Sequence, residues 1–291
     1  MNRTPIIAAL SSLLLATAAH AAIPVVLYDG SDTINPNKTL AQSPWNWTYG
    51  ATPDTRATNP NKPESATVSA AAGVTTLNST QIVASPVNTD IKAGFNISNA
   101  SPFFGNANMP VLDPTGGFKL DFNVAVTAET AGDTTLHTDV ADRAGFSVIV
   151  LTSNATGVEI GFRQNQIFTQ THDFHQATGT EINSLVSTTA MSSYELAIAG
   201  GNYTLTQNGS LVLSGSLRTY DAIAGAALPG SAPNDNVYHQ QNYIFMGDDT
   251  TARSATVNIA YVALNPIPEP TSLTLLALGA TGLLARRTRR A

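Results

Sequence analysis

A chain of 291 residues with no cysteine, 43% hydrophobic and only 12% charged residues, excludes disulfide staples, thiolate zinc sites and cysteine nucleophiles. Its stability must come from core burial and hydrogen-bonded sheet. The formal net charge is -6, and with no basic stripe to neutralise phosphates the chain argues against a nucleic-acid partner. An acidic surface favours solubility and leaves open a hard cation such as calcium.

The first residues, MNRTPIIAALSSLLLATAAHAAIP, combine a basic Arg3, an apolar stretch from about Ile6 to Ala16, and Ala19-His20-Ala21 in A-x-A form. This is the pattern of a secretory signal peptide over residues 1–21. Its apolar run is short for a membrane anchor. The stretch NPNKTLAQSPWNWTYGATPDTRATNPNKP that follows reads as long loops decorating an early strand pair. Trp45, Trp47 and Tyr49 stand there at alternate positions, so one strand would put all three on one face. Flat aromatic rings in such a row suit sugar rings, and suit a sandwich core equally well; they are the candidate ligand-binding residues.

Further along, GFKLDFNVAVTAE alternates Phe118, Leu120, Phe122, Val124 and Val126 with Lys119, Asp121, Asn123 and Ala125, which predicts a half-buried strand of an antiparallel sheet. RAGFSVIVL, from Arg143 to Leu151, is apolar on both faces and reads as a more central strand; SNATG then turns it into VEIGFRQ. In NYTLTQNGSLVLSG the pair Asn208-Gly209 predicts a two-residue type I′ hairpin, because both central positions of that turn need positive φ. Such a turn sets Leu205 opposite Val212. The last strand, SATVNIAYVAL, puts Val257, Ile259, Tyr261 and Ala263 on one side. Many strands, turn residues throughout and no intervening helices predict one all-β domain over residues 22–265, an antiparallel β-sandwich or barrel.

Three segments of this region, DRAGFSVIVLTSNATGVEIGFRQNQIFTQ, YELAIAGGNYTLTQNGSLVLSGSLRTY and NYIFMGDDTTARSATVNIAYVAL, resemble the later strands of concanavalin A-like lectin/glucanase (laminin-G-like) jelly rolls. The resemblance implies a jelly-roll sandwich and a glycan-related role. A glucanase of that superfamily is expected to carry Glu-x-Asp-x-x-Glu or a close variant on one strand, with two carboxylates about 5 Å apart. Here Glu159 stands by itself between Val158 and Ile160, so catalysis by paired carboxylates is not expected. No G-x-S-x-G elbow, phosphate loop or dinucleotide fingerprint is present.

Two acidic or histidine clusters invite metals. Asp248 and Asp249 in GDDTTARS fall at the end of a strand, where jelly rolls often hold calcium, although calcium needs six to eight oxygens and an Asx-type turn explains the pair as well. THDFHQ brings His172, Asp173 and His175 together, with His137 and Asp139 elsewhere; neutral imidazoles and a carboxylate could bind zinc, but the spacing off a helix reads better as a polar loop. No cofactor other than calcium is indicated.

The chain closes with PIPEPTSLTLLALGATGLLARRTRRA, residues 266–291. Its apolar run would span only about 22 Å as a helix at about 1.5 Å per residue, short of a hydrocarbon core about 30 Å thick. It suits a transient stop in the inner membrane, with Arg286, Arg287, Arg289 and Arg290 held on the cytoplasmic side. Pro268-Glu269-Pro270, Thr-Ser-Leu, a Leu/Ala/Gly-rich helix and terminal arginines resemble the PEP-CTERM sorting signal of Gram-negative bacteria; Thr271 and Thr281 stand where Ser or Gly is more usual. The resemblance implies recognition and cutting by a membrane protease, an exosortase, in envelopes that make exopolysaccharide. Related tails also end some ice-binding proteins, but regular Thr-x-Thr ladders are missing here. Together these readings predict an exported, non-enzymatic protein of the cell surface or extracellular matrix, with a binding or structural role and polysaccharide as its leading partner. The alternatives are a glycan-acting hydrolase and a purely structural matrix protein.

Overall fold

The computed structural model describes residues 23–32, 37–52, 66–80, 92–100, 106–131, 139–220, 237–250 and 252–267. The signal-peptide reading over 1–21, His137, and the sorting residues Pro268, Glu269, Pro270, Arg286, Arg287, Arg289 and Arg290, with the C-terminal apolar helix, lie outside these residues. Residues Ile23–Ile267 form one compact unit. Among the described residues no helix is long and apolar enough to cross a membrane.

The alternating pattern becomes strands β1 (Val25–Asp29), β2 (Thr48–Thr52), β3 (Thr67–Ala71), β4 (Val74–Asn78), β5 (Lys92–Ser98), β6 (Phe118–Ala131), β7 (Phe146–Leu151) and β8 (Gly157–Arg163). They are followed by β9 (Gln166–Thr169), β10 (Ile182–Asn183), β11 (Ser192–Ala199), β12 (Asn202–Gln207), β13 (Ser210–Ser216), β14 (Tyr243–Asp248) and β15 (Arg253–Pro266). One sheet runs β13-β12-β11-β6-β15-β4-β3, with β1 also paired to β15; the other runs β10-β9-β8-β7-β14-β5-β2. Every pairing between these strands is antiparallel. The fold is therefore the antiparallel β-sandwich that the alternation predicts, and the chain crosses between the sheets at β2, β3, β5, β6, β7, β11, β14 and β15.

Period two explains the core. Phe118, Leu120, Phe122, Val124 and Val126 of β6 are all buried, and meet Val148, Val150, Val158, Ile160 and Phe162 of the facing sheet in one apolar cluster. Phe122 stacks on its cross-strand partner Tyr194 at 5.3 Å, and Phe162 from the other sheet meets both edge-on. Such aromatic packing adds to area burial. β7 is apolar on both faces because its second face, Ile149 and Leu151, is covered by Tyr220, Tyr238, Tyr243 and Phe245. Strands buried on both faces lose the alternation that half-buried ones keep.

Two of the bulges among the described residues bear on the register expected from simple alternation. At the Asn208-Gly209 turn both residues have positive φ, 50° and 81°, as a type I′ turn requires. Leu205 nevertheless pairs with Leu213 and not with Val212, because Thr206 already pairs with Leu211 and Val212 is the extra residue. The bulge lets Val212 and Leu213 both bury. In β15, Ile259 pairs with Val124 and Tyr261 with Asn123, leaving Ala260 unpaired in the β6 ladder; its carbonyl accepts the Gly30 N–H at 2.9 Å. Val257 and Ile259 point inward before the bulge, Val262 and Leu264 after it. Tyr261 is thereby turned out of the apolar face on which plain alternation places it, since one extra residue inverts every side chain beyond it.

Candidate functional site

Glu159 sits on the outer face of β8, opposite in parity to the core residues Val158 and Ile160, and is 0% exposed. An ionisable group at such a position needs partners, and four other parts of the chain supply them. Arg143, just before β7, places Nη2 3.8 Å from Glu159 Oε1 and 2.9 Å from Asp249 Oδ2. Tyr238, in a short 3-10 turn, puts its hydroxyl 2.7 Å from Glu159 Oε2 and 3.1 Å from Asp249 Oδ2. Ser147 Oγ donates toward Glu159 Oε1 at 3.4 Å, and the Glu159 N–H donates to the Tyr220 hydroxyl at 2.6 Å.

Aromatic rings close this group off. Phe174, Tyr220 and Tyr238 pack together with centroids 4.8 to 5.5 Å apart, and the Arg143 guanidinium lies 5.6 Å from the Phe174 centroid. Arg143 Nη1, Asp249 Oδ1 and Gln170 Oε1 are buried without a hydrogen-bond partner.

Burial, and then the neighbouring Asp249, push the Glu159 carboxyl up to about 8 against the pull of Arg143. Burial alone would lower the Arg143 pKa, but Asp249 and Glu159 hold it above its ordinary value. Near neutral pH Glu159 thus keeps its proton, while the Arg143 guanidinium lies 2.9 Å from Asp249. A neutral acid beside a carboxylate is a general acid–base arrangement. Here, however, both groups are already engaged by the protein.

The candidates read from sequence are placed differently from expectation. Asp248 and Asp249 are held by separate partners. Asp248 is buried, accepting from Ser79 Oγ at 2.5 Å and from the Thr250 N–H at 3.2 Å, while Asp249 pairs with Arg143. The two carboxyls, read from sequence as a candidate calcium pair, thus have different partners, one of them a cation. Burial pushes the Asp248 carboxyl well above its usual range.

Trp45, Trp47 and Tyr49 do not share one strand face. Only Tyr49 lies in β2, and Asn46, at φ 48°, breaks the alternation between the two tryptophans. Trp47 is 2% exposed in the core, and Trp45 and Tyr49 pack against that core. In the THDFHQ loop, His175 Nδ1 lies 3.1 Å from Asp142 Oδ2, a partner the sequence did not suggest. Among the described residues no group of three or more His, Cys, Asp or Glu side chains is placed to hold a metal.

Sequence reasoning left Glu159 without a second carboxylate, and so missed Asp249, Arg143 and Tyr238. The available signal was a lone carboxylate inside an apolar run, which demands a distant partner without naming it.

No curated protein matches the chain. Among solved structures it is similar to the carbohydrate esterase vb_24B_21 from Shiga toxin-encoding bacteriophage phi24B, at 11% identity over 84% of this chain and 99% of that one, TM-score 0.44. It is similar to a Bacillus licheniformis beta-glucanase at 10% identity over 75% and 97%, TM-score 0.36. A third likeness is to the Caenorhabditis elegans galectin LEC-6, at 13% identity over 58% and 95%, TM-score 0.30. Residues 266–290 match the PEP-CTERM protein-sorting motif, which marks an exported protein sorted to the cell envelope or surface.

Proposed function

We propose that this exported protein associates with polysaccharide, at the cell surface or in an exopolysaccharide matrix, and does not act on it chemically. The non-catalytic part rests on the closure of Glu159. Carboxyls that cleave glycosides must reach the glycosidic bond from both sides, with room for sugar or water between them. Glu159 is fully buried and held by Tyr238, Ser147 and Arg143, so its burial supports a structural duty. The association with polysaccharide is supported by the sorting motif and by the resemblance of the strand segments to lectin-like jelly rolls. Sorting would run through an exosortase-type protease, with the C-terminal apolar run inserted transiently in the inner membrane of a Gram-negative cell.

The test uses the protein as exported by its cell, incubated with the cell's own exopolysaccharide and with purified glycans. Saturable binding without release of reducing ends is the expected result. Sugar release that disappears in Glu159→Gln would overturn the non-catalytic reading. No binding to any glycan would overturn the polysaccharide reading in favour of a purely structural matrix role.

A further inference from the structure

The eight-stranded sheet carries a solvent-open groove of about 520 Å³ on its outer face, lined by Asp121, Asn123, Ser193, Glu195, Thr206 and Tyr261 among others. Its floor follows from the strand register. Thr206, Glu195 and Asp121 lie side by side across β12, β11 and β6, and Ser193, Asn123 and Tyr261 do the same across β11, β6 and β15. Neighbouring strands are about 4.8 Å apart and same-face residues about 7 Å apart along a strand. The result is two polar rows closed at one end by an aromatic ring.

Tyr261 is there because of the bulge at Ala260; without it the ring points into the core. Bulges commonly re-aim a side chain beside a working surface. The floor is net acidic. Glu195 is paired with Lys119 at 2.9 Å, leaving Asp121 without a cationic partner of its own. Asp121 Oδ2 accepts from Asn265 Nδ2 at 2.5 Å, and its Oδ1 is buried with no hydrogen-bond partner.

We propose that this groove is a glycan-binding site for chains that lack carboxylate groups, with Tyr261 as stacking platform, Asn123 and Glu195 receiving or making hydroxyl hydrogen bonds, and Asp121 adding to the negative charge of the floor. A sugar ring offers a flat C–H face to Tyr261 and a rim of hydroxyl donors to Glu195. A uronate chain would bring its own negative charge against Asp121 and Glu195, and like charges across a contact discriminate strongly. Burial and the facing Glu195 already raise the Asp121 carboxyl above its ordinary value, consistent with a floor that rejects further anions.

This inference rests on the polysaccharide reading above. Calorimetric titration of the full exported protein with cello-, laminari- and chito-oligosaccharides, and separately with alginate oligosaccharides, tests both. The expected result is binding of at least one member of the first group, a tenfold or greater loss in Tyr261→Ala, and little or no alginate binding. In Glu195→Gln the floor loses one negative charge, and rejection of alginate should weaken while the fold is kept. If oligosaccharides bind with equal affinity in Tyr261→Ala and wild type, the groove is wrong and the polysaccharide reading stands. Equal or tighter alginate binding overturns the ligand class, and silence from every glycan overturns both.

Discussion

Arg143 and Asp249 are 106 residues apart in the chain and 2.9 Å apart in the fold, and the same guanidinium lies 3.8 Å from Glu159. This one contact ties the approach to β7 to the end of β14 across the outer face of the seven-stranded sheet. Because Arg143 is 5% exposed, its loss leaves buried carboxyls that water cannot solvate.

Arg143→Met is therefore expected to destabilise by roughly 3–5 kcal/mol, the usual cost of removing one partner from a buried ion pair. Adding Asp249→Asn should recover part of that, since it removes the carboxyl that the guanidinium pairs with at 2.9 Å. Urea denaturation of the four forms in a double-mutant cycle measures the coupling; additive effects would show that the two side chains do not interact.

Stability should fall as pH rises from weakly acidic to weakly alkaline. Glu159 is held at about 8 in the fold against an ordinary 4.5, so between those values the folded state keeps a proton that the unfolded state has released. Stability is then greatest below the unfolded value and declines up to the folded one. Asp248, also raised by burial, acts in the same direction. Melting temperatures of wild type across this window should drop, and Glu159→Gln should flatten the drop; a profile unchanged by the substitution would assign the pH effect elsewhere.

Calcium should not stabilise the domain. Asp249 already faces a guanidinium and Asp248 a serine hydroxyl, so the acidic pair offers few free oxygens to an ion that wants six to eight. Melting curves with chelator and with added calcium are expected to overlay.

Processing of the sorting motif should depend on the end of β15. The matched motif begins at residue 266, yet Pro266 still pairs with Phe118 and the Ile267 N–H donates to the Gly117 carbonyl at 3.2 Å. A protease acting next to a folded ladder waits for local opening. Inserting six Gly/Ser residues after Ile267 should speed removal of the tail, read by pulse-chase; unchanged kinetics would mean that the strand end does not limit the step.

The strands themselves were legible because their cause is local. Phe118 to Val126 alternate in sequence and alternate in burial, and Asn208-Gly209 adopts the two positive φ values its turn demands. The register was less legible. Val212 and Ala260 carry no local mark that makes them bulge residues; their position is decided by which inward side chains the opposite sheet and neighbouring strands accept. That is why Leu205 meets Leu213, and why Tyr261 faces solvent instead of the core.

The site divides in the same way. The sequence by itself determined the class of fold, the absence of thiol chemistry and the sorting tail, because composition, period and a contiguous motif are properties of neighbouring residues. Only the tertiary structure decided that Glu159 has Asp249, Arg143 and Tyr238 for company, that Trp47 is spent in the core, and that Asp121, Glu195 and Tyr261 share one groove. Each of those depends on strand order and register, which bring together residues that the linear sequence holds far apart.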